Sequence, residues 1–324
     1  MIPIIGYADK LTVAPGEVIS FKISSARDQD YRASIVRLIS GDPNPLSPGI
    51  QFANIPSDVD GAYPSRLQRV KLGSYAKVES GGALKDLKSF TLSALIWPTT
   101  PDKPEQGVMA RMGARGGFAL VIGPDGAEAR LVHADGAETR VNVGKHLRER
   151  RWACVWCSYD SEAAVLTVGQ FQIHPEYEVD SDGVAQVTAS SPGSDGNADL
   201  LIASLDAEGP KTCFNGKIER PTIQKTALFA EPTCSVSLEQ FNTDILASWD
   251  FSQNISGLEI VDIGKLGLHG RIINLPARGM TGSKWSGEEM NWQQRPQEYG
   301  AIHFHDDDID DCKWETDFEF KIPD

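Results

Sequence analysis

From Phe90 to Gln224 the chain runs in short segments whose apolar residues recur at every second position, each closed by turn residues. Phe90, Leu92, Ala94 and Ile96 fall on one side of an extended strand, with Thr91 and Ser93 on the other. That spacing follows from strand geometry, in which successive side chains point to opposite faces. Further runs follow at Gly107 to Arg111, Gly117 to Ile122, Ala129 to His133, Thr139 to Val143, Arg151 to Asp160, Ala164 to Phe171, Ala198 to Ser204 and Gly216 to Gln224. Pro124-Asp125-Gly126 and Ala134-Asp135-Gly136 sit between runs. Asp-Gly steps suit tight hairpins because glycine accepts the positive φ such turns require. Helical periodicity is almost absent. Many short strands with turns between them restrict the fold to an all-β sandwich or barrel.

The flanking segments divide the chain further. Residues 1–45 read as an N-terminal β unit. There Val18, Ser20, Lys22 and Ser24 alternate with Ile19, Phe21 and Ile23 after a Pro15-Gly16 turn, and Tyr31 to Ile39 repeats the pattern. This strand, turn, strand order is how a small immunoglobulin-like unit begins. Residues 46–65, next to Gly41-Asp42-Pro43-Asn44-Pro45 and including Ser47-Pro48-Gly49, read as a linker. The sandwich is expected over 66–240, with strands and an irregular segment over 241–300 and a tail over 301–324.

Composition excludes several function classes. The formal net charge is −14 and the pI about 4.9. Such a field repels phosphates, so neither nucleic acid nor an anionic membrane surface is an expected partner. A membrane-spanning apolar stretch of about 18 residues is missing from the sequence. The opening Met1-Ile2-Pro3-Ile4-Ile5 has no signal-peptide pattern. The five cysteines are an odd number without framework spacing. Reduced thiols and a cytoplasmic location are the expectation.

Three landmarks between Phe90 and Leu228 carry a resemblance. They are Phe90-Thr91-Leu92-Ser93-Ala94-Leu95-Ile96-Trp97-Pro98, Trp152-Ala153-Cys154-Val155-Trp156-Cys157-Ser158-Tyr159-Asp160, and Leu200-Leu201-Ile202-Ala203-Ser204 followed by Phe214-Asn215-Gly216-Lys217-Ile218-Glu219. In this order and spacing they resemble the laminin-G/concanavalin A-like jelly-roll sandwich. The whole chain also resembles the N-terminal part of the large subunit of bacterial N,N-dimethylformamidase. That resemblance rests on Ile4-Ile5-Gly6-Tyr7-Ala8-Asp9, Ala247-Ser248-Trp249-Asp250-Phe251-Ser252, His269-Gly270, Asn274 to Gly282 and His303-Phe304-His305-Asp306-Asp307-Asp308. It implies a non-catalytic scaffold within an amidohydrolase that converts an N-substituted formamide to formate and an amine. It also implies that the catalytic Fe3+ lies in a C-terminal portion of the large subunit beyond this sequence, with that portion and a small subunit as partners. No cofactor is then expected on this chain.

The candidate chemistry is sparse. His303 and His305, two apart in a strand, point the same way, and Asp306 and Asp308 follow at once. That set could hold a divalent metal; the alternative is a strand ending in an acidic solvated turn. Cys154 and Cys157 invite a zinc or redox reading, but an odd separation in a strand puts them on opposite faces. Core thiols are expected. His133, His146, His174 and His269 have no second ligand at useful spacing. A jelly roll can also bind carbohydrate, through aromatic stacking or a carboxylate-held Ca2+. Trp97, Trp152 and Trp156, with Asp160 and Asp199, are the residues in question, and a lectin-like module is the alternative function. No Gly-x-Ser-x-Gly elbow, phosphate loop or defensible pair of catalytic carboxylates is present.

Overall fold

In the computed structural model the chain forms two compact units, Met1–Lys71 and Leu72–Asp324. The structure describes residues 3–8, 12–44, 46–68, 72–85, 87–173, 180–228, 244–255, 257–274, 276–279, 282–283 and 301–304. It is all-β, with no helix among the described residues long and apolar enough to cross a membrane.

The first unit holds β1 (Ile4–Ala8), β2 (Phe21–Ser25), β3 (Tyr31–Ala33), β4 (Ile35–Ser40), β5 (Gln51–Ile55) and β6 (Gly61–Tyr63). They pair antiparallel as β1–β2, β3–β6 and β4–β5. The expected linker over 46–65 is therefore corrected. Its residues form β5 and β6, which pair back on β4 and β3, and the unit extends to Lys71. The Pro- and Gly-rich stretch before them is the loop of a hairpin, not a connection between domains. Tyr31 and Tyr63, opposite each other across β3 and β6, stack at 5.7 Å. Among the described residues of this unit only Ser25 is buried.

The second unit contains β7 (Tyr75–Val78), β8 (Phe90–Pro98), β9 (Gln106–Gly113), β10 (Gly116–Gly123), β11 (Gly126–Val132), β12 (Glu138–Asn142), β13 (Ala153–Asp160) and β14 (Val165–Gln172). It continues with β15 (Gly183–Thr188), β16 (Leu200–Ile202), β17 (Gly216–Gln224), β18 (Ile245–Asp250), β19 (Glu259–Asp262), β20 (Gly270–Ile273), β21 (Ala277–Gly279) and β22 (Ala301–Phe304). The hydrogen-bonded path runs β12-β11-β10-β9-β16-β7-β20-β19-β18-β17-β8-β13-β14-β15. It folds back on itself, so that β11 packs over β13 and β14, and β12 over β14 and β15. The result is a sandwich. One layer contributes Ala76, Val78, Phe118, Leu120, Ala129 and Leu131 to the core, and the other contributes Phe90, Leu92, Val155, Tyr159, Leu166 and Val168. Phe90 meets Phe118 across the layers at 4.5 Å between ring centroids. Burial of these apolar faces is the main force holding the layers together.

The turns follow the residues. In the β10–β11 hairpin Gly123 pairs with Gly126, which has φ +84°. Pro124 supplies the fixed φ of a turn's second position, and Gly126 takes the left-handed one. The β11–β12 turn repeats this, with Gly136 at φ +84° and its N–H donating to the His133 carbonyl.

Both faces of the central strands are covered, the one bearing Thr91 and Ser93 included. Thr91 Oγ1 donates to the Thr226 carbonyl at 2.7 Å and accepts from Leu228 N–H, while Ser158 Oγ donates to the Leu228 carbonyl. Chain after β17 therefore lies over this side, and the alternation sorted core face from strap-bearing face. Trp156 is buried on the same side, against Gly169. A Cβ at Gly169 would come within 2.5 Å of the indole. Gly169→Ala is expected to cost about 1–3 kcal/mol by forcing the ring off its site. Urea unfolding checks this; an unchanged midpoint would refute the close fit.

Candidate functional site

Of the metal-ligating candidates, only the backbone of His303 is described. His303 lies in β22, paired with Lys217 of β17 and with Ala277 of β21. His305, Asp306 and Asp308 lie outside the described residues. Among the described residues no group of three or more His, Cys, Asp and Glu side chains is placed to hold a metal ion.

The cysteines divide. Cys157 lies on the core side of β13 and is completely enclosed; burial pushes its thiol up to about 12. Cys213 is likewise a buried thiol, and its Sγ donates to Ser204 Oγ at 3.6 Å. Cys154 corrects the expectation of thiols throughout, because it is disulfide-bonded. Its side chain leaves the opposite face of the strand, so Cys157 cannot be its partner, and Cys157 stays a thiol. The raised Cys157 value makes folding favour the protonated form. This contribution is whole below the ordinary thiol pKa of about 8.5 and is lost as pH climbs toward about 12. At pH 8 Cys157 is expected to resist a thiol reagent in the native protein and to react after unfolding. Rapid native labelling of Cys157, read by mass spectrometry, would contradict the burial.

The aromatic and acidic candidates are occupied locally. Trp156 is enclosed, and Trp97 carries the Lys217 ammonium 4.9 Å from its ring centroid. Partial burial lowers the Lys217 pKa. Asp160 accepts the N–H groups of Glu162 and Ala163 at 2.8 and 3.2 Å, and Asp199 pairs with Lys77 at 2.8 Å. The Asp199 carboxylate correspondingly holds the Lys77 pKa up. His133 reaches the Ser191 carbonyl and Thr139 Oγ1, while His269 Nδ1 accepts from Asp262 N–H at 3.2 Å. His146 meets Asp102 at 3.3 Å on the surface, and His174 lies outside the described residues.

Two buried polar hubs escaped the sequence reading. Gln170 accepts from Ala127 N–H and donates to the carbonyls of Lys145 and Ser181. Arg111 points inward and donates to Ser80 Oγ and to the carbonyls of Gly81 and Asp195. In both, the donors and acceptors are spent on backbone and loop ends. The signal for Arg111 was its place two residues after Met109, which puts both on the same face of β9.

No family model matches the sequence. Among solved structures, a Bacteroides ovatus protein described as carbohydrate binding aligns over 69% of this chain and 65% of its own, at TM-score 0.44 and 16% identity. The carbohydrate-binding module of a Ruminococcus gnavus sialidase aligns over 49% of this chain and 90% of its own, at TM-score 0.39 and 13% identity. At those scores neither adds to the topology above. The sequence relatives are far nearer. The N,N-dimethylformamidase beta subunit of Paracoccus aminophilus is 37% identical over 100% of this chain, and that of an Alcaligenes species is 35% identical over 99%. In each case the match spans only 46% of the relative. Over essentially its whole length, then, this chain is similar to part of the N,N-dimethylformamidase beta subunit and spans about half the length of those relatives.

Proposed function

We propose that this chain is the non-catalytic β-sandwich portion of an N,N-dimethylformamidase-like amidohydrolase, serving assembly rather than bond cleavage. The observation that carries this is the 37% identity over the entire chain to a protein of which the match covers 46%. The relatives are named beta subunits, and more than half of each lies outside the match; in this reading the catalytic portion lies in that remainder. The locally engaged carboxylates and the enclosed Cys157 favour a scaffold. In this reading the whole assembly hydrolyses an N-substituted formamide to formate and an amine at an Fe3+ held outside this chain, with a small subunit as further partner. The metal would polarise the carbonyl and lower the pKa of an attacking water. Native mass spectrometry of the assembly purified through this chain, with an inventory of its polypeptides, tests the reading. A complex containing sequence that matches the rest of the dimethylformamidase beta subunit is expected. A chain that purifies only by itself would count against it.

A further inference from the structure

The N-terminal unit departs from what a self-sufficient domain looks like. In the β4–β5 ribbon Leu38 faces Phe52, and they are 57% and 63% exposed. On the other face Ile35 meets Ile55, and both are exposed as well. An isolated two-stranded ribbon is marginal in water, and one with apolar side chains on both faces needs a cover. The loop joining the strands is held in shape. Asp42 Oδ1 accepts Asn44 N–H at 2.9 Å, Asn44 Oδ1 accepts Leu46 N–H at 3.0 Å, and Ser47 Oγ donates to the Asp42 carbonyl at 3.0 Å. That frame holds Leu46 95% exposed at the ribbon's end. Tethering an apolar side chain outward lowers the ordering cost of docking it.

Charge and length indicate the occupant. Residues 1–71 carry eight Lys and Arg against seven Asp and Glu, whereas the whole chain has a net charge of −14. The unit is thus close to neutral on an acidic protein, and apolar contact there meets no strong repulsion. The relatives that include this entire chain have more than half their length outside the match. We propose that the β4–β5 ribbon, with Leu38, Leu46 and Phe52 as its anchors, is the docking surface for that remaining portion of a dimethylformamidase-like beta subunit. This rests on the assembly reading above and assigns it a surface.

The test co-expresses this full chain with the portion of the Paracoccus aminophilus beta subunit outside the match. Complex formation is read by co-purification and sedimentation, and the contact by hydrogen exchange. Protection of Ile35 to Ile55 on complex formation is expected. Leu38→Asp with Phe52→Asp is expected to weaken association by roughly tenfold or more, as loss of anchor residues does. Val184→Asp, at a residue 58% exposed in β15 of the other unit, should leave it unchanged. Should the double variant lower the melting temperature, Leu46→Asp replaces it, since that side chain touches little. A complex that forms equally well with every variant overturns the surface but leaves the assembly reading standing. Absence of any complex with the wild-type chain overturns both. A dimer of this chain alone, abolished by the double variant, would make a second copy the occupant and overturn the proposal.

Discussion

Arg111→Met is expected to destabilise the Leu72–Asp324 unit by about 3 kcal/mol or more, although methionine fills much of the same volume. Arg111 is 2% exposed, and its guanidinium ties three separate places together: Ser80 Oγ at 3.3 Å, the Gly81 carbonyl at 3.5 Å and the Asp195 carbonyl at 2.6 Å. Burial pulls its pKa below the usual arginine range, and the charges of Asp195 and Asp199 offset part of that. The cation is costly to bury, but the acceptors around it are costlier to strand. Removing the fork leaves the enclosed carbonyls without their donor, at about 1–3 kcal/mol for each such group. Arg111→Lys is expected to recover only part, because a point ammonium cannot span the same three acceptors. Urea denaturation measures the loss, and a change under about 1 kcal/mol would show that the fork is dispensable.

Asp262→Ala carries the second large effect, about 3–5 kcal/mol, for a related reason. Asp262 ends β19 and lies 5% exposed. Its Oδ1 accepts the N–H groups of Ser248 and Gly264, and its Oδ2 accepts Leu268 N–H, each at 2.7 Å. One carboxylate therefore closes the β18–β19 junction and the turn that leads into β20. Hydrogen bonds to a charged acceptor are worth roughly twice neutral ones. Asp262→Asn keeps the shape but presents a poorer acceptor and one pair of unwanted donors, so an intermediate loss is expected. Hydrogen exchange should show the extra opening concentrated at Ser248, Gly264 and Leu268. Uniform loosening across the sandwich would contradict the local assignment.

The sandwich itself was readable because its strands alternate and its turns carry glycine where φ must be positive. Phe90 to Pro98 became β8 and Gly216 to Gln224 became β17, with those bounds. Where one periodic signal served two purposes the reading fell short. Alternation puts Thr91 and Ser93 opposite the apolar face without saying what lies over them, and their hydroxyls and small size, with that of Ser158, suit a face covered by more chain. β15 carries a weak sequence signal, because Gly183 to Thr188 is short and follows Ser181-Asp182, although its exposure alternates along the strand. The stretch 46–65 reads as a linker because prolines and glycines mark hairpin loops and domain connections alike; the pairings of β5 with β4 and of β6 with β3 separate the two. At the level of the site, the run from His303 to Asp308 offers only a spacing, and all but its first two residues lie outside the described ones. Metal ligands usually come from several elements, and sequence adjacency alone supplies neither the geometry nor the enclosure. The Cys154 disulfide was hidden for the same reason. Strand geometry excluded Cys157 as its partner, and an odd count gave no hint that another cysteine would serve.

The central claim is that this chain assembles with, rather than contains, the chemistry its relatives are named for. The direct measurement is release of dimethylamine and formate from N,N-dimethylformamide by the purified full chain, with and without added Fe3+, beside the co-expressed complex. The account predicts no hydrolysis above the buffer rate from the chain alone under either condition, and turnover only in the complex. Iron-dependent hydrolysis by this polypeptide alone would contradict it.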